Sequence, residues 1–165
     1  MTPTMSMTPA TSATVRPATT ADDAFLRALY AAGRAAELDQ VVWPPGQREA
    51  FVAMQHDLRE RLYRAAYPAG EFLVVEVDGR PAGRLCVNRG ADEVRVVDIA
   101  LLPAHQGQGI GGALLRRLLD EAAAAGVPVA LQVERDSPAR ALYERLGFVP
   151  VAEDDVRLHL TWRAS

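Results

Sequence analysis

The chain has 165 residues, 49% of them hydrophobic and 24% charged, with 18 basic side chains against 21 acidic ones. This fits a single globular domain with one sizeable core, and the net charge of −3 argues against a general nucleic-acid binder. All the cations are arginine, which excludes a Walker A lysine, a lysine Schiff base and a lysine general base.

Met1 to Ser12 carries neither a basic n-region nor an apolar h-region and is expected to be a flexible tail, with the domain occupying residues 13–165. No apolar run reaches the ~18 residues needed to cross a bilayer. With a single thiol, Cys86, and no export signal, the expected compartment is cytoplasmic, without membrane association. Thr14 to Pro17 reads as a strand. Thr20 with Asp23 opens an amphipathic helix running to about Gly33, and Trp43-Pro44-Pro45-Gly46 breaks the pattern. A second helix is expected from about Gln47 to Tyr67, with Phe51, Met54, Leu58 and Leu62 as its apolar side. The period then becomes extended: Glu71 to Val77 and Pro81 to Asn88 form a hairpin around Asp78-Gly79, followed by a strand from Val94 to Leu102. From about Gly109 to Ala125 the spacing of Leu114, Leu115, Leu118, Leu119 and Ala122 is helical, with Gly126 as the stop. Val127 to Val133 is a strand, and Ser137-Pro138 starts a short helix ending at Gly147. Phe148 to Ala152 and Val156 to Trp162 complete the chain as strands. The order β-α-α-β-β-β-α-β-α-β-β specifies a mixed sheet with helices on it, an α/β or α+β single domain.

The stretch most telling about function is Pro103 to Gly112, which joins an apolar strand to an amphipathic helix through Gly107, Gly109, Gly111 and Gly112. Small residues let a backbone approach a ligand closely, and a helix N-terminus favours an anion by geometry and dipole. Gly107, Gly109 and Gly112 satisfy GxGxxG, with Glu134 roughly 20 residues on where a ribose-binding acid would sit. A nicotinamide-dependent oxidoreductase is nevertheless disfavoured. Pro103 to Gln106 separate strand from glycine, and the chain after Glu134 is too short for further βαβ units. His56, His105 and His159 lack metal-site spacing, and one cysteine gives no thiolate cluster, so no metal is expected.

Gln106-Gly107-Gln108-Gly109-Ile110-Gly111 matches a Q/R-x-x-G-x-G/A signature. Together with the preceding strand Val96 to Pro103 and the downstream Leu142-Tyr143 to Gly147-Phe148, it resembles the GNAT superfamily of N-acetyltransferases. The resemblance implies a mostly antiparallel sheet of about seven strands flanked by about four helices, with acetyl-CoA as cosubstrate. Its pyrophosphate would lie on the backbone of Gln106, Gly107, Gln108, Gly109, Ile110, Gly111 and Gly112, with Gly109 and Gly111 the sensitive positions. Its pantetheine would pair with the backbone of Ile99, Ala100 and Leu101. Tyr143 matches a tyrosine that acts as general acid to the departing thiolate. Ser137 stands where relatives often carry asparagine, so it is either a pantetheine contact or only a helix cap.

A primary amine has a pKa of about 10.4, so transfer near neutral pH needs a proton acceptor. Where relatives use a strand glutamate this chain has Arg95, which leaves Asp98, directly or through water, and Glu37 as candidates. The function implied is acetyl transfer in a ternary complex to a small-molecule amine or a peptide or protein N-terminus, with a homodimer possible by analogy. Acceptor choice is assigned to the first two helices and their loop, including Trp43, Gln55 and Tyr63. The alternative is a non-catalytic acyl-CoA-binding module.

Overall fold

A computed structural model describes residues 12–165, so the expected tail lies outside the described residues except for Ser12. Seven strands form one sheet in the order β1-β2-β3-β4-β5-β7-β6: β1 (Ala13–Pro17), β2 (Glu71–Val77), β3 (Arg80–Arg89), β4 (Val94–Leu101), β5 (Val129–Glu134), β6 (Val149–Glu153) and β7 (Arg157–Trp162). Every neighbouring pair is antiparallel except β4 with β5. Five helices accompany the sheet: α1 (Asp23–Gly33), α2 (Ala35–Leu38), α3 (Gln47–Ala66), α4 (Ile110–Ala125) and α5 (Arg140–Leu146). The short α2 is an addition to the expected elements. Among the described residues no helix is long and apolar enough to cross a membrane.

Two local signals differ by a residue or more from the sequence reading. The first helix is announced by Thr19, whose N–H donates to Asp22 Oδ2 at 2.8 Å, and a 3₁₀ turn over Thr20–Asp22 precedes α1. Arg16 clamps the same carboxylate with two bonds of 2.8 Å, so Arg16 and the Thr19 amide hold Asp22 down at about 2. Ser137 accepts the Ala139 N–H at 3.2 Å and caps a leading turn, so α5 itself begins at Arg140.

The main core lies between the sheet and α4 with α5. Leu114, Leu115, Leu118 and Ala122 project from α4 at i, i+1, i+4 and i+8 onto Val75, Leu85, Val87, Val96 and Leu131. Tyr143 and Phe148 close its end. α1 and α3 occupy the opposite face, where the sheet carries a polar patch beside apolar Phe72 and Val74: Arg84, Cys86 and Asp98 point towards α3.

That polarity corrects the expected orientation of α3. His56, Arg59, Glu60 and Tyr63 turn inward, while Phe51, Met54, Leu58 and Leu62 lie on the solvent side, with Met54 56% and Leu62 60% exposed. A helix that must meet a buried arginine and aspartate presents its polar side, so hydrophobic spacing alone assigns the wrong face.

A β-bulge at Val97 sets which β4 residues reach this polar face. Cys86 pairs with Asp98 but Val87 pairs with Val96, leaving Val97 unmatched. Val94 and Val96 therefore face the α4 core before the bulge and Ile99 and Leu101 after it, while Asp98 turns towards Arg84.

Candidate active site

β4 and β5 pair only over Val94 to Val96 and Val129 to Leu131, and beyond that register they part. The open edge of β4 keeps unused backbone groups. Leu102 N–H donates to Ala82 O across β3 at 2.8 Å. Strand alternation therefore turns the backbones of Leu101 and Ile99 into the opening and that of Ala100 back towards β3. Of the three expected backbone contacts, Ile99 and Leu101 offer theirs to the cleft; Ala100 only lines it. The Leu101 carbonyl accepts the Gln106 Nε2 at 3.0 Å, which ties the following loop to the strand end.

The strand approach that shapes this edge depends on Gly83. A Cβ there would run into the Ala100 carbonyl and the Leu101 side chain. Nothing in the periodicity of the sequence singles it out.

A 3₁₀ turn at Pro103–His105 leads into the glycine loop, and Gln108 Nε2 donates to Ala104 O at 2.9 Å. Gly107 (φ +74°) and Gly109 (φ +81°) adopt left-handed backbone, which an L side chain does at a cost of roughly 1–2 kcal/mol. Gly109 is the residue from which α4 starts, and buried Ile110 anchors that start in the core. Gly111, expected to be a sensitive position as well, is ordinary helix. A Cβ there would meet nothing nearer than Leu142 Cδ2 at 3.8 Å, and one at Gly107 nothing within 4 Å. The loop therefore leaves open space against a helix N-terminus, the setting an anionic ligand needs. It borders a cleft of about 780 Å³ between α1, α4 and the end of β4, large enough for a cofactor-sized molecule. These features fit acetyl-CoA.

A second, smaller cleft of about 310 Å³ lies where β4 and β5 part, with α3 as one wall. Arg59, Asp98, Glu134, Ser137 and Tyr143 border both clefts, and so mark where they meet. Tyr143 is buried against Phe148 in an edge-on contact, with ring centroids 5.7 Å apart. Burial, assisted by the negative charge of Asp98, pushes its hydroxyl up to about 12, so the phenol keeps its proton through the neutral range.

Asp98 lines the junction, and its Oδ2 is shared by two guanidinium groups, Arg59 Nη2 at 2.5 Å and Arg84 Nε at 3.4 Å. Arg84, only 4% exposed, also holds Glu60 at 2.5 Å and donates to Cys86 Sγ at 2.7 Å. Burial pushes the Cys86 thiol up to about 11, which leaves it a small buried side chain rather than a nucleophile. Arg59 stands over the rings of Tyr30 and Tyr63 at 5.2 and 5.1 Å, which fixes its guanidinium between α1 and α3. Glu37 is not brought in: it pairs with Arg34 at 2.9 Å on an exposed surface and is absent from the lining of both clefts.

Three charged residues of the smaller cleft escaped the sequence reading: Arg59, Arg157 and, except as a ribose-binding acid, Glu134. They come from α3, β7 and β5, and no local spacing connects them.

A model of the Acetyltransferase (GNAT) family matches residues 35–148. The chain is 31% identical over 109 residues to the putative [ribosomal protein bS18]-alanine N-acetyltransferase of Bacillus subtilis, covering 64% of this chain and 66% of that protein. It is 41% identical over 58 residues to the [ribosomal protein bS18]-alanine N-acetyltransferase of Haemophilus influenzae, covering 34% and 40%. The chain thus spans less than two thirds of either curated relative. Among solved structures, the PaiA N-acetyltransferase of Thermoplasma acidophilum in complex with coenzyme A superposes with a TM-score of 0.69 at 16% identity, over 93% of this chain and 99% of that one. This likeness concerns the fold.

Proposed function

The chain belongs to the GNAT acetyltransferase family, and from that premise we propose that it is an acetyl-CoA-dependent N-acetyltransferase acting by direct transfer in a ternary complex. The acceptor in this reading is a primary amine, of a small molecule or of a peptide or protein N-terminus; the curated relatives named for an alanine of a ribosomal protein support the amine. The observation that carries the reading is the meeting of two clefts at a buried, protonated tyrosine beside an unpaired strand edge.

The first turn of α4 and the loop from Gln106 to Gly112 hold the pyrophosphate, and the Ile99 and Leu101 backbones pair with the pantetheine arm. Bound acetyl-CoA supplies an activated acyl thioester. The Leu101 N–H polarises its carbonyl, the acceptor nitrogen forms the new bond to carbon, the carbon–sulfur bond breaks, and Tyr143 gives its proton to the thiolate. The amine loses its own proton at the junction of the clefts, to Asp98 through water or to Glu134. The observation favouring Glu134 is that no ion pair engages it among the described residues, whereas Asp98 is shared by Arg59 and Arg84. Glu37 has no part in this scheme.

The test is calorimetry with CoA followed by CoA release across a panel of amines. Binding with amine-dependent release supports the reading. Folded protein that fails to bind CoA removes it, and binding with no turnover on any amine points to the non-catalytic acyl-CoA module.

A further inference from the structure

The charges of the smaller cleft fall into two groups. Asp98 is held by Arg59 and Arg84, and Arg95 is held by Glu93 at 2.8 Å. Two charges remain. Glu134 and Arg157 stand directly opposite each other on β5 and β7, both border the cleft, and among the described residues neither side chain takes part in an ion pair. Directly opposite residues on antiparallel strands share a face, with Cβ atoms only about 5 Å apart. An acid and an arginine at that spacing would ordinarily close on each other; here they stand open as one anionic and one cationic point, side by side.

Their order along the cleft is also fixed. Glu134 borders both clefts, so it stands at the junction with Tyr143, whereas Arg157 borders the smaller cleft alone and stands further from the thioester position. A molecule spanning the two points would present its cationic end inward, where acyl transfer occurs, and its anionic end outward. An arginine fork suits a carboxylate because two parallel N–H bonds reach its two oxygens.

We propose that the acceptor is an amine carrying a carboxylate close by, its nitrogen drawn to Glu134 and its carboxylate bound by Arg157. This rests on the acetyltransferase reading above and adds the acceptor class. Two sources share the chemistry: a free amino acid, and a peptide whose first residue is aspartate or glutamate.

The experiment measures kcat/KM for matched pairs, free amino acids against their carboxamides and Asp- or Glu-initiated peptides against Asn- or Gln-initiated ones, with wild type and Arg157→Gln. In one pair set or the other, wild type should prefer the carboxylate partner by about 10- to 100-fold, chiefly through KM, the range expected of a hydrogen bond to a charged group. Arg157→Gln should bring that ratio close to one while CoA affinity by calorimetry stays at the wild-type value. The pair set that shows the preference identifies the source. Equal use of carboxylate and amide partners by wild type, or a preference that survives Arg157→Gln, overturns the proposal while leaving the acetyltransferase reading standing. No turnover with any amine, CoA still binding, overturns both.

Discussion

The two clefts that meet at Tyr143 are built from different materials. Away from the junction they share, the larger offers a ligand backbone groups: left-handed glycines, the start of α4, and the amides of Ile99 and Leu101 turned outward by strand alternation. The smaller offers charged side chains from four elements, Arg59 from α3, Asp98 from β4 and Glu134 from β5 at the junction and Arg157 from β7 beyond it. Backbone groups are the same in every residue, so a cleft made from them binds what is constant in a ligand, and its demands on sequence reduce to smallness at a few points. Side chains differ, so the other cleft is where one acceptor can be told from another.

The sharpest test of that division is Tyr143→Phe at its boundary. Losing the acid should lower kcat by about 10²- to 10⁴-fold while CoA binding stays intact; an unchanged kcat would assign the proton to another group. The same variant carries a pH signature. Because the folded-state value is raised to about 12, above the ordinary ~10, the folded protein binds this proton more tightly than the unfolded chain does. That contribution to stability is complete below pH ~10 and is lost as pH rises towards 12. Wild-type melting temperature should therefore fall more steeply than that of Tyr143→Phe across this window.

Gly109→Asp tests the backbone cleft. A side chain at φ +81° with a negative charge at the helix start should weaken CoA binding by about 100-fold, read by calorimetry on folded protein. Binding at wild-type strength would mean that the loop is not the pyrophosphate site. Gly83→Ala should act one step back: moving β4 away from its neighbour should cost about 1–3 kcal/mol in chemical denaturation and weaken CoA binding with it. A stable variant with weakened binding would still support the backbone account, whereas no effect on either would refute it. The smallest effect is expected on the outer side of the acceptor wall, where Leu62→Gln should change stability by no more than about 0.5 kcal/mol, since that side chain already faces solvent. A cost above about 1.5 kcal/mol would show that the α3 stripe is covered.

The backbone cleft was legible in the sequence because its requirements are local. Gln106 to Gly112 are consecutive, and the strand before and helix after them have clear periods. The hairpin at Asp78-Gly79 was legible for the same reason: both residues take positive φ, 53° and 76°. The face of α3 was not, because its partners Arg84 and Asp98 come from β3 and β4, and burial of their charges reverses the rule that apolar spacing marks the inner side. Glu134 and Arg157 become neighbours only through the β5–β7 register. Gly83 is required by the nearness of Ala100, which no pattern within β3 expresses.

The bulge at Val97 gives β4 a phase as well as a composition. Removing Val97 would leave the alternation unbroken, with Asp98 still turned towards Arg84 and Ile99 into the leucine core, whereas drawing Val97 into the ladder would send Asp98 into that core and Ile99 out towards Arg84. Chemistry at this junction therefore depends on the extra residue staying out of the ladder, and not on the length of β4 alone. Homologous chains one residue shorter between Val94 and Leu101 should lack the bulge and still turn the residue at the Asp98 position towards α3.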